Sequence, residues 1–228
     1  MPPCSDTNVG WYPVLVLEGM PGAGKTSAAT ALAARNWTVI GEYTTVTGGV
    51  VPIREHPAVN DDAGHQRNWL RKHRQVHTAR RNGPVFCDRD WLSALAYAYS
   101  VADTDHGELL HSRARWASDC LDHGDLTLAS TYIVFQLDPD ISLHRRANRL
   151  TPRHPWSSLP GLIRLAAFYA DPADAVSAQS GGRHLDHQRQ VPTQLYHLGH
   201  RVRIGVIVAA GPPSQQGDRL VGAASLPQ

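Results

Sequence analysis

Short apolar runs alternate with longer amphipathic ones along this chain. YPVLVLE at 12–18 is β-branched and Leu-rich and is bounded by Pro13 and Gly19, the pattern of a buried strand. TSAATALAAR at 26–35 follows, with Ala28, Leu32 and Arg35 near helical spacing. WTVIG at 37–41 is a second strand, and two strands joined by a helix imply a parallel βαβ unit. Periodicity is lost over 42–62, which predicts a long loop. An amphipathic helix over 63–82 places Trp69, Leu70, His73, Val76 and His77 on one stripe, and Gly83-Pro84 ends it.

The alternation continues with a strand at 84–88, helices at 91–101 and 107–123, and a strand at 131–138. After Pro139 comes a basic helix, ISLHRRANRL, and then a loop at 151–161. Helical patterns resume around 162–170 and 188–199, and VRIGVIVAA at 202–210 is a fifth strand. Five strands alternating with helices describe an α/β domain with a mainly parallel sheet flanked by helices. Residues 1–210 form one domain, and 211–228, rich in Gly, Pro, Ser and Gln, are expected to be a flexible tail.

Composition narrows the partners. The 22 Lys plus Arg stand against 20 Asp plus Glu, a formal +2, so no strong field selects nucleic acid or a membrane surface. Three cysteines with no C-x-x-C pair, no long apolar run and no secretory start predict a reduced, cytoplasmic protein. The thirteen histidines show no metal-ligand spacing and are expected to pack or face solvent. Only two of the basic residues are lysines, Lys25 and Lys72, which matters because one of them sits in a motif.

That motif is GMPGAGKT at 19–26, a full match to G-x-x-x-x-G-K-[ST], with the strand before it and the helix after it that it requires. Gly19, Gly22 and Gly24 let the backbone curl, so that the N–H groups of a loop including Pro21 and Ala23, and of the helix start at Ser27, surround phosphate oxygens. Lys25 would neutralise the β and γ phosphates, and the Thr26 hydroxyl would ligate Mg²⁺. The expected cofactors are ATP, or another NTP, and Mg²⁺. With Lys72 followed by His73-Arg74, no lysine is left for the N-K-x-D base motif of a Ras-type GTPase. The strand at 84–88 ends in Asp88-Arg89-Asp90, not in the Asp-Glu that motor-type and AAA-type ATPases use to orient water, an arrangement suited to transfer.

Three segments carry a resemblance to the thymidylate kinase and deoxynucleoside kinase branch of P-loop kinases: LEGMPGAGKT at 17–26, CDRDWLSALAYAYS at 87–100, and LDPDISLHRRANR at 137–149. The resemblance implies a P-loop NTPase three-layer fold with a five-stranded sheet and an arginine-bearing lid at about 142–161. It also implies Asp88 near Mg²⁺, Arg89 at the transferred phosphoryl or acceptor, and Arg145, Arg146 and Arg149 in the lid. Glu42 corresponds to the glutamate that contacts an acceptor hydroxyl as general base.

Gly41-Glu42-Tyr43 departs from the Arg-Glu-Pro of thymidylate kinases, which argues against a monophosphate acceptor. The acceptor surface is expected to gather acids, Glu42, Glu55, Asp61, Asp62 and Asp90, with Tyr43, Trp69 and Trp91 for packing; such a site favours a neutral or cationic hydroxyl compound. The expectation is therefore a kinase acting on a small sugar-containing metabolite, such as an aminoglycoside or nucleoside antibiotic or intermediate. A thymidylate or other nucleoside monophosphate kinase and a non-catalytic ATP-binding regulatory or resistance protein are the alternatives, and a homodimer is left open.

Overall fold

The computed structural model describes residues 11–58, 60–101, 107–147, 154–181 and 203–208. Four strands with described side chains, β1 (Val14–Gly19), β2 (Thr38–Ile40), β3 (Val85–Asp88) and β4 (Thr131–Gln136), form a parallel sheet, and β5 (Arg203–Val208) extends it along β4. The spatial order is β2-β3-β1-β4-β5. The chain leaves β1 toward β3 and β2 and later returns to β4 on the other side, so the carboxyl end of β1 is a topological switch point, where α/β sheets open a crevice for ligands. Register places Asp88 opposite Leu17 and Phe135 opposite Gly19.

The helices are α1 (Lys25–Ala33), α2 (Asp62–Ala79), α3 (Leu92–Val101), α4 (Gly107–His123), α5 (Pro139–Arg146), α6 (Leu159–Ala170) and α7 (Pro172–Gly181). Leu92, Leu95, Ala96 and Ala98 of α3 are buried among Leu110, Ala114 and Ala117 of α4 and Leu162, Leu165 and Phe168 of α6. Asp61 caps α2 by accepting from Gly64 N–H at 2.8 Å. Asp138 caps α5, with Pro139 in the first turn, where its missing N–H costs nothing.

Some elements differ from expectation. The 42–62 stretch carries an antiparallel bridge, Thr44 with Val50, and a 3₁₀ turn at Ile53–Glu55. Helix α6 starts at Leu159, inside a stretch expected to be loop, because Pro160 is tolerated in a first turn. Helix α7 lacks a clear sequence period and was not anticipated. The buried face of α2 holds Asn68 and Lys72 beside Trp69 and Val76, whereas His77 is exposed. The helix expected near 188–199 and the tail at 211–228 lie outside the described residues. No helix among the described residues is long and apolar enough to cross a membrane.

Candidate active site

Strand β1 runs into the glycine loop at the switch point. Gly19 has φ 118°, and a Cβ there would collide with the backbone carbonyl of Phe135 on β4, so glycine lets the loop leave the sheet at this point. Gly22 and Gly24 also have positive φ, 73° and 101°. The loop is braced from above by α5: Ser142 Oγ donates to the Pro21 carbonyl at 2.8 Å and Arg145 Nη1 to the Gly22 carbonyl at 3.1 Å. Pro21 and Ala23 are buried, and Thr26 and Ser27 face solvent at the start of α1. Lys25 is buried, its ammonium donating to the carbonyls of Gly19 (2.8 Å) and Met20 (2.7 Å). Burial, and then the charge of Arg89, lowers its pKa to about 7 against the pull of Glu18, Asp88 and Glu42.

Thr26 Oγ1 donates to Asp88 Oδ2 at 3.2 Å, joining the loop to the end of β3. A hydroxyl and a carboxylate side by side are hard oxygen donors of the kind Mg²⁺ accepts alongside water and phosphate oxygens, so these two residues fit that ion. Among the described residues no group of three His, Cys, Asp or Glu side chains is placed to hold a metal.

Arg89 departs from strand geometry, with φ 63°. Its Nε lies 3.0 Å from Glu42 Oε1, and its Nη1 donates to Ser93 Oγ at 3.2 Å and lies 3.9 Å from Glu18 Oε2. Glu18 is fully buried and accepts from Asp90 N–H (3.0 Å), Ser93 Oγ (2.8 Å) and Tyr169 Oη (2.8 Å). For Glu42, burial works to raise the pKa, but Arg89, followed by Lys72, outweighs it and the net shift is downward. Glu42 is thus held as a carboxylate paired with Arg89.

Beyond Arg89 opens a cleft of about 320 Å³, within the range of small-ligand sites. Its walls are aromatic: Tyr43, Trp69, Tyr97, Trp116 and Trp156, with His56, His65 and His154. Tyr43 stacks on His56 with ring centroids 4.1 Å apart, and the Arg89 guanidinium lies over Trp156 at 5.6 Å. His65 Nε2 is 3.0 Å from the Ala58 carbonyl, which can only accept, so Nδ1 is the acceptor of the Tyr43 O–H at 2.6 Å. Burial lowers the His65 pKa and keeps the imidazole neutral. The cleft also holds Asp62, ion-paired with Arg113, and Arg146 from α5.

This geometry corrects the expected gathering of acids. Asp90 does not line the cleft: it is half-buried behind it, accepting from Leu92 N–H (2.8 Å) at the start of α3 and from Tyr132 Oη (2.7 Å). Burial and then the charge of Glu18 raise its pKa to about 7. Trp91 is in the core, lining a small cavity behind β3. Asp61 is spent as a helix cap, Glu55 pairs with exposed Arg54 at 3.4 Å, and Asp62 is neutralised by Arg113. Among the described residues the cleft is lined by two carboxylates, Glu42 and Asp62, and three guanidiniums, Arg89, Arg113 and Arg146, a formal +1 from these five groups. Arg149 lies outside the described residues.

Several residues at this site were not anticipated. Lys72 is buried on α2 and donates to the carbonyls of Asp88 (2.8 Å) and Arg89 (2.6 Å). Asn68 donates to the Glu42 carbonyl (3.0 Å) and accepts from Thr44 N–H (3.2 Å), fixing the backbone that presents Glu42 and Tyr43. The one signal for Lys72 was its rarity beside twenty arginines. The cleft histidines, Arg113 and Trp156 had none.

The sequence model of the AAA domain matches residues 14–128, which is half of the chain and includes the glycine loop, Glu42, α2 and Asp88-Arg89. The chain belongs to that family. The part of this AAA domain that the model spans thus holds the phosphate loop and one wall of the cleft, whereas α5, α6 and Trp156 lie beyond it. No curated protein sequence matches the chain. Among solved structures the AAA domain is similar to thymidylate kinase from Candida albicans, with 12% identity, a TM-score of 0.48, and coverage of 87% of this chain and 84% of that one. A likeness of that size carries no argument about substrate.

Proposed function

We propose that this AAA domain is an ATP- and Mg²⁺-dependent kinase whose acceptor is a nucleoside monophosphate or a closely similar molecule, with a flat aromatic group and an anionic phosphate. The observation that carries the reading is the cleft beside the phosphate loop, aromatic on its walls and cationic in balance, with Arg89 where it meets the loop. A flat ring is bound by the aromatic walls, and an anion by Arg89 together with the other guanidiniums that line the cleft.

Bound nucleotide supplies the γ-phosphoryl group, and Mg²⁺ would be held by Thr26 and Asp88. The glycine-loop backbone and Lys25 bind phosphate oxygens, and the lid arginines Arg145 and Arg146 stand over the loop. Arg89, its fork set by Glu18, Glu42 and Ser93, orients the acceptor anion for in-line approach. The apolar walls exclude water from the cleft, which favours transfer over hydrolysis.

A second reading, a neutral hydroxyl acceptor such as a nucleoside or amino sugar, is favoured by Glu42, whose ionised side chain keeps about a third of its surface exposed and follows glycine instead of arginine. In that reading Glu42 accepts the hydroxyl hydrogen. ADP release measured across dTMP, other monophosphates, nucleosides and aminoglycosides decides between them. Turnover with monophosphates is expected; turnover confined to aminoglycosides or nucleosides would overturn the first reading. Tight ATP binding with no ADP release for any acceptor would point to a regulatory ATP-binding protein.

A further inference from the structure

Strand β3 ends at Asp88, which reaches Thr26, and Arg89, the first residue beyond it, reaches Glu42, both at the carboxyl edge of the sheet. The backbone turns left-handed at Arg89, φ 63°, a conformation that costs a residue with a side chain about 1–2 kcal/mol. The same turn directs the carbonyls of Asp88 and Arg89 toward one point, and the Lys72 ammonium occupies it, 2.8 Å from the first and 2.6 Å from the second. Lys72 is 3% exposed, and its ammonium lies 5.3 Å from the centre of the Trp69 ring. No carboxylate is within ion-pair distance of it among the described residues, so its charge is satisfied chiefly by backbone oxygens that only the turned conformation brings together.

We infer that Lys72 is a positioning residue for the metal site: it locks the turn after β3, and so holds the Asp88 carboxylate against Thr26 while Arg89 faces the acceptor cleft. It also links the two halves of the site, because the helix that carries it presents Trp69, Asp62 and His65 to the cleft and Asn68 to the Glu42 backbone. The inference rests on the nucleotide half of the proposed function and is independent of the acceptor.

The test is binding of a fluorescent ATP analogue to the full chain, titrated with Mg²⁺, in the unsubstituted protein and in Lys72→Met. The unsubstituted chain is expected to bind more tightly as Mg²⁺ is added. Lys72→Met is expected to retain the metal-free affinity, since the glycine loop and Lys25 are untouched. Its Mg²⁺ midpoint should rise roughly 10- to 100-fold, the usual effect of removing an outer-shell partner of a metal ligand. A merely structural role would lower both affinities together or neither. If Lys72→Met does not fold, Lys72→Gln, which keeps a neutral donor, serves instead, with a smaller rise in midpoint expected. An unchanged midpoint in whichever folded variant is measured overturns the inference alone, whereas an unsubstituted chain that binds no nucleotide overturns the proposed function with it.

Discussion

Glu42→Gln is the substitution on which the two acceptor readings diverge most. Glu42 Oε1 lies 3.0 Å from Arg89 Nε, with about a third of the Glu42 side chain exposed and a tenth of that of Arg89. Glutamine keeps an oxygen that can accept from Nε, so the pair loses only the difference between a charge-assisted and a neutral hydrogen bond, about 1 kcal/mol, or roughly fivefold. The formal charge lining the cleft would move from +1 to +2, which opposes any rise in KM for an anionic acceptor. If Glu42 serves to orient Arg89, kcat with dTMP therefore falls by no more than about tenfold, and KM is unchanged or lower. If Glu42 instead takes up a hydroxyl proton, kcat falls by about 10²–10⁴, because an amide cannot accept that proton. Steady-state ADP release with dTMP and a nucleoside as parallel acceptors reads both parameters. A fall of a hundredfold or more in kcat, with KM unmoved, would refute the assignment of Glu42 as the partner that orients Arg89.

Other perturbations probe the loop and the cleft. Lys25 has a pKa lowered to about 7, so it is largely neutral above that pH; polyphosphate favours the ammonium, so binding takes up a proton and affinity falls as pH rises through 7 toward 9. Calorimetry of ADP binding at pH 8 in two buffers of different ionisation enthalpy should show proton uptake, and none would contradict the assigned state of Lys25. Gly19→Ala combines a positive-φ penalty of about 1–3 kcal/mol with the collision against the Phe135 carbonyl, and urea denaturation should show a loss beyond that range. A loss under about 0.5 kcal/mol would mean that the loop leaves β1 differently. Arg113→Met leaves Asp62 uncompensated and takes the lining charge from +1 to 0, so KM for a monophosphate should rise on the order of tenfold while that for an uncharged nucleoside stays within about twofold. Equal changes for both acceptors would remove the electrostatic account of the cleft.

The parts of this molecule that were legible in the sequence are those whose chemistry is local. The strand, glycine loop and helix at 14–33 depend on residue types within one turn of each other. Asp88 and Arg89 were legible as types but not in their backbone geometry, because the left-handed turn at Arg89 is held by a lysine sixteen residues before Asp88. The acceptor charge failed for the same reason. A sequence displays a carboxylate but not its partner, and Asp62 is neutralised by an arginine 51 residues on, while Asp90 accepts from a tyrosine 42 residues on. Position offered a partial remedy. Asp61 and Asp90 each sit just ahead of a helix, where an aspartate's first claim is from backbone N–H groups, so both could have been subtracted before the charges were counted. Subtracting them leaves Glu42, Glu55 and Asp62; Glu55 pairs with its neighbour Arg54 outside the cleft, and once the arginines of α3's approach, α4 and α5 are set against the remaining two, the sign of the site reverses.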